Sequence, residues 1–317
     1  MIRNARTFGA DTHLRKIITM DSETFDDRDG QIWYDGKLGL WRDADVHVLT
    51  HGLHYGSCVF EGERSYNGKI FKLREHTDRL IKSAGILGFE IPYPADQIDA
   101  ACKEVCQANS IVDGYIRPVA WRGSEMMGVS AQQNTIHLAI AAWPWPSYFS
   151  PEARMKGIRL KTSAWKRPSP ETAPTDSKAA GLYMICTMSK HAAESEGYDD
   201  ALMLDWRGRV AESTGANIFI VFGDGRLHTP TPDCFLNGIT RRTVIDLAKA
   251  RGIEVIERPI SPDELVDATE VFLTGTAAEV TPVGEIDEHT FSVGEISRWM
   301  MDDYDKAVGK TPEEAAA

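Results

Sequence analysis

The 317-residue chain contains no run of 18 apolar residues, so no segment of it reads as a membrane span. Positive charge is scarce: 35 Lys and Arg face 47 Asp and Glu, for a formal net charge of −12. That balance excludes a basic surface for nucleic acid, and acidity of this size chiefly confers solubility. Cysteine is sparse too. The five present are an odd number without the spacing of a disulfide framework, and Cys102 and Cys106 fall four apart on a predicted helix. Buried thiols in a reducing cytoplasm are the expectation. The stretch Met1-Ile2-Arg3-Asn4-Ala5-Arg6-Thr7 is basic but has no apolar core behind it, so no signal peptide is visible; Asp11, Asp21 and Glu23 follow too soon for a transit sequence. No repeat of fixed period is evident.

What is present is core material: 42% of the residues are hydrophobic, enough for one large or two modest domains. Residues 32–34 and 37–41 read as a hairpin over Asp35-Gly36, and 57–66 with 69–73 as another over Asn67-Gly68. Leu80, Ile81, Ala84 and Leu87 give a 3.6-residue period across a helix at 76–87, followed by a helix at 95–108 and strands at 115–122 and 135–143. Three prolines in residues 144–151 break the pattern and mark a linker. Beyond it come a strand at 157–166, a helix at 179–197 closed by Gly197, hairpins over Trp206-Arg207-Gly208 and Asp224-Gly225, a helix at 240–251 and a strand at 271–274. The expected fold is α+β (mixed α/β) with two domains. Residues 1–30 form an N-terminal extension, 31–143 a small domain, 144–152 the linker, 153–308 a large domain and 309–317 a frayed tail.

Two turns stand out. The run Val271-Phe272-Leu273-Thr274 leads into Gly275-Thr276-Ala277, a turn of small residues whose N–H groups and hydroxyl make a nest for an anion. Leu236-Asn237-Gly238-Ile239-Thr240-Arg241 opens a helix in the same manner. Lys178 lies among small residues at a loop-to-helix junction, in Thr175-Asp176-Ser177-Lys178-Ala179-Ala180-Gly181. It is either a solvated surface lysine or a partly desolvated amine nucleophile. Glu212, ahead of Ser213-Thr214-Gly215-Ala216-Asn217, is either an edge-strand charge or the partner of a buried cation or ligand N–H. Two anion turns around one lysine suggest a phosphorylated cofactor rather than a nucleotide. His51-Gly52-Leu53-His54 spaces two imidazoles as metal ligands, but no carboxylate or Cys completes the set in register, and no metal is expected.

In order, His54-Tyr55-Gly56 with Phe60-Glu61-Gly62, Tyr115-Ile116-Arg117-Pro118, Lys178 with the helix behind it through Asp205 and Glu212, Gly238-Ile239-Thr240-Arg241, and Gly275-Thr276-Ala277-Ala278-Glu279 resemble the motifs of the branched-chain aminotransferase family, within the fold-type-IV pyridoxal-phosphate enzymes. The likeness runs from about residue 30 to 290. It implies that Lys178 carries pyridoxal 5'-phosphate as a Schiff base and shuttles the substrate proton, and that Glu212 pairs with the pyridine nitrogen. Tyr183 would bond the phenolic oxygen. Ile239 and Thr240 N–H, the Thr276 hydroxyl and Arg79 would cradle the phosphate. The amino-acid carboxylate would rest on Thr276 and Ala277 N–H with help from Tyr115. Tyr55, Phe60, Tyr183 and Trp145, with Tyr148 beside them, would line an apolar pocket, and Arg117 at its rim would receive the distal carboxylate of glutamate. Tyr55 and Val129 match positions supplied across a homodimer interface.

Three features depart from the family pattern: Leu182 before the tyrosine, the segment 121–128, and Glu63, whose carboxylate is expected to repel a glutamate side chain. The implied reaction moves an amino group between L-leucine, L-isoleucine or L-valine and 2-oxoglutarate, so the partners are small amino and 2-oxo acids. The alternatives are a D-amino-acid or (R)-amine aminotransferase, an aminodeoxychorismate lyase, and a non-catalytic binding protein.

Overall fold

The computed structural model describes residues 24–145 and 155–310. Asp35 (φ 45) and Gly36 (φ 98) turn Gln31–Tyr34 (β1) into Lys37–Leu40 (β2), as that dipeptide predicts. A short helix, His51–Tyr55 (α1), precedes Cys58–Phe60 (β3), Glu63–Tyr66 (β4) and Lys69–Ile70 (β5). The single strand expected over 57–66 is thus broken at Glu61-Gly62. The cause is a close approach: a Cβ on Gly62 would lie 1.9 Å from Tyr115 Oη. Helices Leu73–Ile86 (α2) and Ala95–Ala108 (α3) follow, then the long strands Gly114–Arg122 (β6) and Ile136–Pro144 (β7). The sheet order is β2-β1-β7-β6-β4-β5, with β3 also on β6. One face is covered by α2 and α3, where Leu80, Ile98 and Val105 pack on Val59, Ile116 and Leu138. Each such buried side chain contributes about 1.5–3 kcal/mol.

The second sheet is built from Ile158–Thr162 (β8), Asp200–Leu204 (β9), Val210–Ser213 (β10), Asn217–Phe222 (β11), Leu227–Thr229 (β12), Val255–Glu257 (β13), Ala268–Gly275 (β14), Glu279–Ile286 (β15) and His289–Thr290 (β16). Its order is β10-β9-β8-β15-β14-β11-β12-β13, with β16 on β15. One further pairing, Glu212 with Asn217, joins β10 to β11 and closes β8, β9, β10, β11, β14 and β15 into a ring. Period-2 alternation sends Ile218, Val271 and Leu273 to the core inside the ring, with Ile158 and Val283. Phe219 and Phe272, stacked 5.2 Å apart, face outward under helices Ile239–Ala250 and Glu295–Val308. Helix Met184–Ser195 (α4) packs on β9; the two helices just named are α5 and α6.

The helix expected at 179–197 starts as a 3-10 turn, Ala180–Tyr183, because Gly181 packs against the backbone of Gly56. Strand β15 and helix α6 are not expected from the sequence. Pro282 sits mid-strand opposite Phe272, a position that argues against strand on local grounds. Pro144 ends β7 rather than opening a linker, while residues 146–152 of the expected linker lie outside the described residues. The tail is not frayed at its start: Gly309 caps α6 with φ 81, and the Lys310 side chain is 11% exposed. Residues 311–317 lie outside the described residues, as do residues 1–23 of the expected extension.

Candidate active site

Lys178 is held between the two sheets. Its N–H donates to Ser83 Oγ on α2 at 3.0 Å, and its carbonyl accepts the Phe60 N–H at 3.2 Å. The Nζ donates to Tyr183 Oη at 2.8 Å and lies 4.9 Å from the Phe60 ring centre. The residue is half-buried and lines a cavity, so it is not a solvated surface lysine. Burial, with Arg79 nearby, lowers its amine to a pKa of about 8, although Glu61 acts against the shift. A free-base amine is therefore available close to neutral pH.

Glu212 lines the same cavity as Lys178 and Tyr183. Burial raises its carboxyl to about 7, while Arg167 and Lys178 pull it back down. Arg167 Nε stands 3.3 Å from Glu212 Oε1, and Asn217 Nδ2 donates to Oε2 at 3.1 Å. The same Asn217 donates to Leu236 O at 3.0 Å and accepts the Gly238 N–H at 3.2 Å, so it ties the acid to the start of α5. Neither Arg167 nor Asn217 stands out in the sequence, because each is defined by a partner on another strand or loop. Arg167→Met removes the charge that keeps Glu212 ionised. The acidic limb of the kcat/KM–pH profile is expected to move up by roughly 1–3 pH units. An unmoved limb in that profile would show that Arg167 does not act on Glu212.

Gly238, Ile239 and Thr240 at the N-terminus of α5 line the same cavity, together with Thr276 in the β14–β15 turn. The first N–H groups of a helix have no partner within it and favour an anion. Arg241, quoted with this motif, points elsewhere: it is fully buried and braces the turn through Asn237 Oδ1 at 2.9 Å and Glu257 Oε2 at 2.7 Å. Arg79 also borders the cavity, with Nε and Nη2 on the Glu61 carboxylate at 2.6 and 2.8 Å. His76 Nδ1 meets Glu61 at 2.7 Å. Burial alone would raise the Glu61 carboxyl, but Arg79 and His76 outweigh it and hold it well below the usual range. Glu61 is the anchor of this corner, and its only sequence signal is its place before Gly62.

The groups lining the cavity suit a phosphorylated pyridine aldehyde: an amine, a phenol and a carboxylic acid, with a helix N-terminus and a hydroxyl. The buried Thr274 Oγ1 on the cavity wall has no hydrogen-bond partner among the described residues.

The substrate side follows from the register of β6. Tyr115 and Arg117 share one face, and Arg117 Nη2 donates to Tyr115 Oη at 3.1 Å. Arg117 lies 4.7 Å over the Phe60 ring, and its buried Nε has no partner among the described residues. Beyond Arg117 opens an apolar cavity of about 930 Å³, bordered by Tyr34, Val119 and Trp121. Of the expected pocket aromatics, Phe60 and Tyr183 meet edge-to-face at 4.8 Å, and Trp145 packs 5.6 Å from Tyr115. Tyr55 is not brought in: it is exposed and stacks on His51. Val129 is 85% exposed, also outside the cavity. Ala277 borders a separate space behind the turn rather than the cavity that holds Lys178. Tyr148 lies outside the described residues. The two histidines considered for a metal brace loops instead, His51 on Gly128 O at 3.0 Å and His54 on Val48 O at 2.9 Å.

Glu63 corrects an expectation. It pairs with Ile116, so both side chains point to the helix-covered face, away from Tyr115 and Arg117. There it is fully buried, facing Cys102, and burial pushes its carboxyl well above the usual range. On the far side of the sheet it does not face the residues expected to meet a substrate carboxylate.

The family model described as amino-transferase class IV matches residues 58–286. The branched-chain-amino-acid aminotransferase of Pseudomonas aeruginosa is 46% identical over 272 residues, covering 84% of this chain and 88% of that protein. Among solved structures, the branched-chain aminotransferase of Thermoproteus uzoniensis with norvaline superposes with TM-score 0.85 at 38% identity, covering 90% of this chain and 97% of that one. The PLP-form enzyme of Thermobaculum terrenum does so with TM-score 0.82 at 31% identity, covering 90% and 96%. Because that family model spans more than half of the chain and the Pseudomonas relative is 46% identical over 84% of it, the chain belongs to the class IV amino-transferase family, with the two-domain α+β fold of the branched-chain enzymes.

Proposed function

We propose that this protein catalyses pyridoxal-phosphate-dependent transfer of the amino group between branched-chain L-amino acids and 2-oxoglutarate. The observation that carries the reading is that Lys178, Glu212 and the N-terminus of α5 all line one cavity. The cofactor, when bound, supplies an electron sink for the carbanion left at the substrate Cα. Lys178 would hold the cofactor and then carry the proton taken from Cα. Its lowered pKa suits both tasks. Glu212 would keep the ring nitrogen charged, with Arg167 and Asn217 fixing its orientation. Tyr183 would bond the ring oxygen beside Lys178. Ile239, Thr240, Thr276 and Arg79 would hold the phosphate. The Thr276 amide, with Tyr115, would hold the amino-acid carboxylate. Cofactor use is further supported by the PLP form of the Thermobaculum terrenum relative.

The test is a panel of L- and D-amino donors with 2-oxoglutarate and added pyridoxal phosphate, followed by glutamate formation and visible absorbance. Turnover of D-donors alone would assign the protein to the D-amino-acid reading, and release of pyruvate from aminodeoxychorismate without an amino acceptor to the lyase. A protein that stays colourless and inactive would reject enzymatic function.

Arg117, with an uncommitted Nε near Phe60 and Tyr115, is the receptor for the distal carboxylate. Arg117→Leu should raise KM for 2-oxoglutarate at least about tenfold and change KM for leucine by less than about twofold, because only the acceptor loses a charge partner. Equal losses for both substrates in steady-state kinetics would remove Arg117 from that role.

A homodimer is part of the reading. Val46 and Leu53, which border the apolar cavity, are exposed, as are Val48, Tyr55 and Val129, and a second copy covering them would complete the pocket. Five free cysteines suit a reducing cytoplasm. Two sheets that share no strand support the division into residues 31–143 and 153–308.

A further inference from the structure

The turn that presents Thr276 to the cavity ends on a residue of unusual type for its conformation. Glu279 closes the β14–β15 turn opposite Gly275 at φ 53, a left-handed position that glycine ordinarily takes. A glutamate there strains the backbone unless its side chain is held. It is held on every side. One carboxylate oxygen accepts Tyr66 Oη at 2.8 Å, the other accepts Lys310 Nζ at 2.6 Å, and Arg64 stands 3.9 Å away.

Lys310 comes from the segment beyond α6 and also donates to Asp305 at 3.0 Å. The preceding Gly309 carbonyl accepts Asn67 Nδ2 at 3.0 Å. The cluster therefore joins three parts of the molecule: the β4–β5 hairpin of the first sheet, the turn of the second, and the residues after the last helix. Burial would raise the Glu279 carboxyl, but Lys310 and Arg64 outweigh it and hold it below the usual range, so the pair is charged. Lys310 lies beyond the residues matched by the family model, 58–286, and that match assigns it nothing.

We propose that Lys310 is a positioning residue for the amino-acid carboxylate: paired with Glu279, it holds the turn at residues 276–278 with its amides ordered for the ligand. The inference rests on the reading of that turn as the carboxylate site. Without the ammonium, Glu279 becomes a buried anion short of its main counter-charge. The side chain then loosens its grip on the left-handed backbone, and the ligand must order the turn as it binds. Affinity falls while the chemical groups at Lys178 are untouched.

The experiment compares Lys310→Met with Lys310→Arg in the holoenzyme. Hydrogen exchange of residues 276–278 is read alongside steady-state kinetics with L-leucine. Lys310→Met is expected to speed exchange in the turn and to raise KM for leucine about tenfold with kcat within about twofold, and Lys310→Arg to restore both. A Lys310→Met protein that melts at lower temperature but keeps wild-type KM, or wild-type exchange in the turn, overturns the proposal and leaves Lys310 a stabilising contact only. Should wild-type protein not transaminate at all, the assigned function fails, and the exchange comparison still decides whether Lys310 orders the turn.

Discussion

Lys178→Ala should lose transamination almost entirely. The lysine is the one amine in the cavity whose position combines a lowered pKa of about 8 with contact to Tyr183 at 2.8 Å. Loss of proton transfer alone removes roughly 10²–10⁴-fold of rate, and loss of the amine that exchanges with the substrate adds to it. The fold should persist, since the backbone contacts of residue 178 to Ser83 and Phe60 do not use the side chain. Two measurements check this: glutamate formation in the presence of excess pyridoxal phosphate, and the visible spectrum after gel filtration. The variant should bind the cofactor without covalent attachment and release it on filtration. Substantial turnover with a wild-type spectrum would remove Lys178 from the chemistry.

The second large effect is expected at Glu212. Glu212→Gln preserves shape and can still accept from Asn217, but it withdraws the negative charge that a protonated ring nitrogen needs. A charge aimed at the reacting group in a dry site is worth roughly 10²–10³ in kcat, whereas KM for leucine should change only a few-fold, because Glu212 does not touch the substrate carboxylate. A second consequence follows from Arg167, which is buried beside Glu212 at 3.3 Å. Stripped of its counter-charge, it destabilises the folded state by up to about 3–5 kcal/mol. Kinetics and thermal melting should therefore both change. A variant with wild-type kcat would show that the acid is structural; a variant with lost kcat and intact melting would show that Arg167 finds another partner.

Much of the fold was legible because its signals are local. Asp35-Gly36 and Asn67-Gly68 make hairpins by backbone chemistry alone, and the helix expected at 95–108 matches α3 end to end. The unread elements are those whose local signal is ambiguous. Pro282 disguises β15, and the break at Glu61-Gly62 depends on Tyr115, which approaches from another strand. The site shows the same division. Lys178, Glu212 and the two anion turns were candidates by residue type, and the family resemblance alone gave them roles, whereas Arg167, Asn217 and the Glu61 anchor of Arg79 were not found, since each acts on a residue remote in sequence. Glu63 was assigned to the wrong face because only the pairing of β4 with β6 shows which way it points.

By itself, then, the sequence determined the chemical inventory: one amine among small residues, one acid before a turn, two turns able to bind anions, and an α+β frame to carry them. The tertiary structure decided which of these share a cavity and in what state of charge. Residue type and periodicity act over a few positions, but desolvation and ion pairing depend on what a closing sheet brings within about 4 Å. Only the closure of β10 on β11 puts Glu212 beside Asn217 and the start of α5, and only the burial that results gives Lys178 and Glu212 pKa values that nearly meet.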